Sequence, residues 1–179
     1  MPTIAEAIGG LLFGEEGGHV YAVLDGASIP DLLDQLDALH PDYLCLRTGA
    51  LKPDIAEVAP YLVRLAPGND FTRWVLEQGW GKHWGIFALA APNLIEMRHH
   101  FRTLTMVRDP EGKRLLFRFY DPRVLRKFLP TCNQLELRTM FGPVTSYLAE
   151  AEDPATALRF QLTAGALVEQ KKPLGLKEE

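Results

Sequence analysis

The length of the apolar segments in the first half of the chain most limits the fold. Four segments of four to six residues lie at Val20–Asp25, Tyr43–Leu46, Pro60–Leu65 and Ile86–Leu89. Segments this short that end at turn residues are typical of strands and shorter than the helices that fill a core. We therefore predict a strand at each of these places.

Helical patterns separate the predicted strands. Four leucines recur at helical spacing after the first strand, and His40-Pro41 ends the pattern. This order of strand, helix and strand predicts a βαβ unit whose two strands lie side by side. Further helices are expected over Phe71–Gln78 and Leu94–Leu104.

The second half of the chain mixes both kinds of pattern. It predicts strands over Thr105–Val107 and Arg114–Tyr120 around a turn, a helix over Val124–Leu129, and a final hairpin of Ser146–Glu152 with Ala157–Leu162. The predicted fold class is mixed α+β (α/β), with an N-terminal βαβ-containing lobe and a smaller C-terminal mixed lobe.

Domain boundaries follow from the same patterns. We expect an N-terminal extension over residues 1–18 and one domain over residues 19–165, which can divide into sub-lobes 19–90 and 91–165. Residues 166–179 are charged near their end and contain proline and glycine, so we expect a flexible charged tail there.

Charge is unevenly distributed. The segment Arg98–Lys127 carries nine Lys/Arg and three Asp/Glu, a balance of +6, whereas the whole chain carries −4, which leaves −10 for the rest. Such a basic segment indicates a docking surface for an acidic partner, or arginines that pair with acids elsewhere and form a solvated face. The acidic sequence pI of 5.7 argues against nucleic acid as the partner.

Location and redox state are predicted from what the sequence lacks. No apolar run reaches about 18 residues, and the N-terminus lacks the basic start of a signal peptide. We therefore expect a cytoplasmic protein without membrane insertion. Cys45 and Cys132 belong to no Cys-x-x-Cys pair and are expected to be buried free thiols.

Patterns that carry catalysis are few. Neither Ser28 nor Ser146 lies in Gly-x-Ser-x-Gly, no glycine-rich phosphate loop follows the first strand, and the five histidines show no metal-binding spacing. We predict no catalytic residue, no metal and no cofactor. Asp25 and Asp121 end predicted strands and are candidates for acid–base work, but before glycine and proline they are also ordinary turn and capping residues.

The candidate binding residues are arginines and their neighbours. Guanidinium groups bind carboxylates or phosphates in a fixed geometry. The candidates for contact with a partner are Arg98, Arg102, Arg118, Tyr120, Asp121 and Arg123. Arg118 lies between two phenylalanines of a predicted strand and is expected on the opposite face from them. The alternative is an internal ion pair of Arg118 with Asp121 or Glu96.

Several motifs together resemble one known family. They are Tyr21-Ala-Val-Leu-Asp-Gly-Ala27, Ala59-Pro-Tyr-Leu-Val-Arg-Leu65, Trp80-Gly-Lys-His-Trp-Gly-Ile86, Phe101-Arg-Thr-Leu104, Leu116-Phe-Arg-Phe-Tyr-Asp-Pro-Arg-Val-Leu125 and Phe141-Gly-Pro143. In this order they resemble the bacterial type VI secretion adaptor or chaperone domain, known as domain of unknown function 4123, over roughly residues 20–145. The Phe-Arg-Phe-Tyr-Asp-Pro-Arg string is the most specific part.

The resemblance implies a non-catalytic role. Members of the family bind an effector toxin in the cytoplasm and help to load it onto VgrG, the trimeric spike protein of the secretion needle. The family has no established catalytic residues, so motif membership alone carries over to Arg102, Arg118, Tyr120, Asp121 and Arg123.

Three functions are therefore weighed. The first is an adaptor that holds an effector segment. The second is a small enzyme or binding protein for an acidic or phosphorylated small molecule, which would use the arginine-rich C-terminal face. The third is a structural subunit of a larger assembly. An adaptor requires an exposed apolar patch or an unpaired strand edge, whereas an enzyme requires a pocket where polar groups converge.

Overall fold

The protein is described from a computed structural model, and the described part comprises residues 1–176. Its α-helices are α1 (Ile4–Phe13), α2 (Leu32–Leu39), α3 (Pro53–Val58), α4 (Asp70–Gly79), α5 (Leu94–Leu104), α6 (Pro122–Phe128) and α7 (Gln134–Phe141). Its strands are β1 (His19–Asp25), β2 (Tyr43–Cys45), β3 (Pro60–Leu65), β4 (Gly85–Ala90), β5 (Met106–Arg108), β6 (Arg114–Leu116), β7 (Val144–Glu150), β8 (Thr156–Thr163) and β9 (Ala166–Pro173).

Seven strands form one large sheet in the order β2-β3-β1-β4-β7-β8-β9, and β5 pairs with β6 in a separate two-stranded sheet. Neighbouring strands of the large sheet run antiparallel throughout. In its middle, Ala22 of β1 lies opposite Val63 of β3 and Phe87 of β4. The predicted mixed α+β fold class is confirmed.

The order of the first strands differs from the predicted βαβ unit. Leu62 of β3 lies opposite both Val23 of β1 and Leu44 of β2, so β3 separates the two strands. The prediction that β1 and β2 lie side by side is therefore wrong. β3 suits the inner position because all of its residues except Arg64 are buried, whereas β2 is short and only partly buried at the sheet edge.

Helices cover both faces of the large sheet. Successive residues of a strand point to opposite faces. Val20, Ala22 and Leu24 therefore join the core on the side of α1, α2 and α4, whereas Tyr21 and Val23 join the core on the side of α5, α6 and α7. The sheet is the buried middle layer, and this explains why its central strands are apolar on both faces.

The predicted N-terminal extension contains a docked helix. Thr3 and Glu6 form a capping box at the start of α1, which fixes where the helix begins. Ile8 and Leu12 of this helix are completely buried, and α1 packs against α4. Arg159 of β8 pairs with Glu15 just after the helix, so residues outside the predicted domain complete one of its two core layers.

Most of the predicted flexible tail is a strand. Residues 166–173 form β9, which pairs with β8 along its whole length. β9 is an edge strand, so its charged residues Glu169, Lys171 and Lys172 lie at the border of the sheet rather than in a free segment. The last residues of the predicted tail, 177–179, lie outside the described residues.

The predicted strand over Arg114–Tyr120 ends early. β6 stops at Leu116, and the N–H of Phe117 makes the last cross-strand bond, to the carbonyl of Thr105 at 2.8 Å. A turn follows, in which the N–H of Asp121 donates to the carbonyl of Arg118 at 3.0 Å. The prediction that Arg118 lies on a strand is wrong, because its backbone forms the turn that leads into α6.

Candidate functional site

Two buried carboxylates lie at the C-terminal ends of strands that finish at the same end of the large sheet. β1 and β7 both run antiparallel to β4, which lies between them, so their C-terminal ends lie at the same end of the sheet. Asp25 ends β1 and Glu150 ends β7, and both are almost fully buried. The turn before α6 places Arg118 and Asp121 at this end of the sheet. We call Asp25, Arg118, Asp121 and Arg123 the arginine–aspartate cluster.

The carboxylate of Asp25 has three polar partners in the fold. Its carboxylate accepts hydrogen bonds from the N–H of Ala27 at 3.1 Å and from the hydroxyl of Ser28 at 2.8 Å, and it forms an ion pair with Arg118. Burial alone would lower the pKa of Arg118, but the hydrogen bond and charge of Asp25 outweigh it and raise that pKa. The Arg118 side chain remains 42% exposed, so its charge also faces solvent.

Asp121 caps α6 and accepts three hydrogen bonds from Arg123. It accepts from the N–H of Arg123 at 2.9 Å, from Nε at 3.0 Å and from Nη2 at 2.8 Å. Burial alone would raise the pKa of Asp121, but the hydrogen bonds from Arg123 outweigh it and lower that pKa. Asp121 is therefore held as a carboxylate, a state unsuited to general acid catalysis.

The structure brings four of the six candidate residues together. Arg118, Asp121 and Arg123 belong to the cluster, and Tyr120 is buried beside it, where burial and the charge of Asp25 raise its pKa. Arg118 forms an internal ion pair, as the alternative predicted, but its partner is Asp25 rather than Asp121 or Glu96.

The other two candidates lie on α5. Arg98 donates from Nε to the carbonyl of Cys45 at 2.7 Å and from Nη2 to the carbonyl of Arg47 at 3.2 Å, and so ties α5 to the end of β2. Arg102 is partly buried in the last turn of the helix. A role of these residues in partner binding stays a prediction.

Glu150 is a buried residue of this site that the sequence motifs did not indicate. Its carboxylate accepts from the N–H of Gly81 at 2.6 Å and of His83 at 3.0 Å, and it also pairs with His83 Nδ1. Gly81 and His83 both have positive φ values, of 81° and 60°. The glycine-rich loop between α4 and β4 was the available signal, because it indicated a backbone with unusual angles but not the carboxylate that holds it.

A second feature is the exposed two-stranded sheet, residues 106–116, which we call the hairpin. Every residue of β5 and β6 is exposed. Its four large apolar side chains have exposed fractions of 38% for Met106, 40% for Val107, 41% for Leu115 and 50% for Leu116. An exposed group of apolar side chains on two strands that pair only with each other is the kind of surface expected of an adaptor.

The hairpin is anchored next to the cluster. Phe117 follows β6 directly, and its ring packs edge-to-face on Phe128 of α6 with the centroids 4.8 Å apart. The Phe119 ring stacks on Phe101 of α5 at 5.7 Å. The hairpin therefore continues into a segment whose aromatic rings pack on α5 and α6, and the cluster holds the turn between this segment and α6.

Cavities and polar groups give further observations. A groove of about 610 Å³ lies beside the end of β1 and is lined by residues 26–34, Glu57 and Val58 rather than by the arginines of the cluster. Within residues 1–176, no three His, Cys, Asp or Glu side chains converge to hold a metal ion. Cys45 and Cys132 are free and partly buried. No helix in this part of the chain is long and apolar enough to cross a membrane.

Comparison with known proteins gives one match. A family model described as a domain of unknown function (DUF4123) matches residues 20–139. This segment comprises 120 of the 179 residues and runs from β1 into α7, so it contains both the cluster and the hairpin. No match was found among curated proteins or among solved structures.

Proposed function

This chain belongs to the DUF4123 family, and from that premise we propose that it is a non-catalytic adaptor, or chaperone, for type VI secretion. In this proposal it binds an effector toxin in the cytoplasm and helps to load that toxin onto the spike protein VgrG. The link to secretion rests on the resemblance of its motifs to the adaptor family.

The observation that carries the proposal is the hairpin. Four exposed apolar side chains lie on two short strands, and these strands form a sheet separate from the large one. A surface of this kind gains stability when a partner covers it, because apolar area leaves water and unpaired backbone groups obtain partners. Binding of another polypeptide uses both properties.

The arginine–aspartate cluster supports the proposal in a different way. Its aspartates already have internal hydrogen-bond partners, so they are poorly suited to acid–base chemistry. The cluster instead fixes the segment that follows the hairpin. Arg118 and Arg123 remain 42% and 50% exposed, and this leaves both guanidinium groups accessible to an acidic partner.

The test is co-purification. The tagged full-length chain is expressed with the product of the adjacent downstream gene and, separately, with VgrG. We expect a stable complex with the effector that survives size-exclusion chromatography. A folded chain that forms no complex with either protein would contradict the proposal.

The same preparation tests the small-molecule alternative. Inorganic phosphate is added, and the midpoint of thermal unfolding is measured. An adaptor shows no saturable stabilisation, whereas a phosphate-binding site at the arginines predicts stabilisation that rises with ligand concentration and disappears in Arg123→Gln.

A further inference from the structure

The backbone bonds of the hairpin show which of its polar groups face outward. The N–H of Phe117 donates to the carbonyl of Thr105 at 2.8 Å, and at the other end the N–H of Asp109 donates to the carbonyl of Lys113 at 3.0 Å. In an antiparallel pair, hydrogen-bonded and non-hydrogen-bonded residue pairs alternate. The pair midway between these two ends is therefore also a hydrogen-bonded one.

The outward groups belong to the residues between these pairs. On β6 they are Arg114 and Leu116, which lie opposite Arg108 and Met106 of β5 without exchanging bonds. Their N–H and C=O groups point away from the hairpin. Since the sheet has two strands only, no strand of the described chain pairs with this edge.

β6 offers the better edge for another strand. β5 follows α5 after a single residue, so the end of the helix lies next to the start of that strand. β9 is the long edge of the large sheet, but Lys171, Lys172 and Pro173 are residues that discourage pairing there. β6 instead combines outward N–H and C=O groups that pair with no other strand with the exposed side chains of Leu115 and Leu116.

The charge around β6 selects the partner. The segment 98–127 has a balance of +6, and Arg114 lies on the outer strand itself. A second copy of this chain would bring an identical basic hairpin against the first, so like charges disfavour that occupant. An acidic segment is favoured by charge, and apolar residues in it would cover the two leucines.

We propose that β6 binds an extended, acidic and apolar segment of the effector as a third strand of the hairpin. This rests on the proposed function and deepens it. Arg114 and Leu116 lie on one face of β6 and Leu115 on the other. The matching segment therefore places an acidic residue beside Arg114 and apolar residues beside both leucines.

The probe is a displayed library of random 12-residue peptides, selected on the full-length protein. We expect selection of acidic peptides with apolar residues at neighbouring positions. Leu116→Pro removes an outward N–H without removing a bond between β5 and β6, and should weaken binding of the selected peptides at least tenfold. The matched control is Met106→Pro, which removes an outward N–H and an apolar side chain on the β5 edge and should leave binding within twofold.

Hydrogen exchange gives a measurement that needs no variant. Binding of a selected peptide should slow exchange at the amides of Arg114 and Leu116, because the added strand accepts their hydrogen bonds. Unchanged exchange at both amides would overturn the proposal, as would equal binding by Leu116→Pro, equal loss in both proline variants, or selection of no acidic peptide. A dimer of the free protein that Leu116→Pro disrupts would also overturn it.

The two proposals fail separately. If the effector co-purifies with the wild-type chain and equally well with Leu116→Pro, the adaptor role stands and strand addition at β6 does not. If no effector co-purifies but acidic peptides bind and protect the β6 amides, the surface is established and the role in secretion falls.

Discussion

At the scale of single residues, Arg118 and Arg123 look equivalent but have different surroundings. Arg118 pairs with Asp25, whose side chain is 1% exposed, whereas Arg123 lies at the surface and binds a carboxylate that also accepts a backbone N–H. Loss of either arginine leaves a buried carboxylate without its ion pair, because the Asp121 side chain is also only 7% exposed. A double charge reversal at both arginines would therefore confuse lost folding with lost binding.

Single variants separate the two effects. We predict that Arg118→Gln lowers the free energy of unfolding by roughly 1–2 kcal/mol, a value kept small because water partly replaces the exposed guanidinium. Arg123→Gln should lower the free energy of unfolding by less, because Arg123 is 50% exposed and its pair with Asp121 is local, within the first turn of α6. Urea unfolding followed by circular dichroism measures both. Equal stability of Arg118→Gln and the wild-type protein would show that the Asp25 pair contributes nothing.

Asp121 makes a prediction about acid. Its pKa in the folded protein is lowered, so its ionised form stabilises the fold at pH values above the unfolded value of about 4. That contribution is lost as the pH falls through the lower pKa of the folded state. Asp121→Asn retains a capping side chain but cannot titrate. We expect its unfolding free energy to fall less between pH 6 and pH 3 than that of the wild-type protein.

The contrast for this measurement is Asp109, which caps the exposed hairpin turn through the N–H of Lys113. Asp109→Asn is the matched control, because it makes the same substitution outside the cluster. If both variants lose stability in parallel with the wild-type protein, Asp121 is not a source of the acid sensitivity.

At the scale of elements, the hairpin should affect binding and leave stability unchanged. Leu115 and Leu116 are 41% and 50% exposed, so replacing both by threonine keeps strand propensity and should change the unfolding free energy by no more than about 1 kcal/mol, or about 0.5 kcal/mol for each substitution. Effector binding in the co-purification assay should be lost.

Exposed apolar residues elsewhere provide the matched control. Ile95 on α5 and Leu135 on α7 are 73% and 71% exposed and lie outside the hairpin. Their threonine variants should retain the effector. Equal loss of binding in both pairs would indicate a general effect of surface hydrophobicity, and would remove the hairpin from the proposal.

Elements with local signals could be predicted closely. α5 spans Leu94–Leu104 as predicted, because apolar residues recur at helical spacing and a capping box of Asn93 and Glu96 fixes its start. The helix predicted over Phe71–Gln78 is confirmed as α4, with Asn69 as its cap. Local patterns determine where such helices begin and end.

Features that depend on distant parts of the chain could not be predicted. Asp25 and Arg118 are 93 residues apart, and only the strand order brings them together. The apolar pattern of a strand indicates burial but not which strand it pairs with. The position of β3 between β1 and β2 could therefore not be predicted. For the same reason, Leu115 and Leu116 look like buried strand residues in the sequence, although they lie on a detached sheet.

At the scale of the whole molecule, the family match and the folded unit have different limits. The match begins at residue 20, after α1, and ends at residue 139, before β7, β8 and β9. The sheet nevertheless continues from β4 into β7. The matched segment therefore lacks three strands and a helix that cover part of its own core.

This difference leads to a prediction for α1. Leu12 is fully buried between α1 and the sheet, and its replacement by alanine should lower the free energy of unfolding by about 2–5 kcal/mol. Gly10 lies on an exposed part of the same helix, and Gly10→Ala should be neutral or stabilising, because its Cβ would meet no other atom. Urea unfolding of both variants compares core packing with helix propensity in one element.

A chain that tolerates Leu12→Ala as easily as Gly10→Ala would show that α1 is an accessory helix. A selective loss would mean that the stable unit begins before the family boundary, so binding assays need the chain from its first helix.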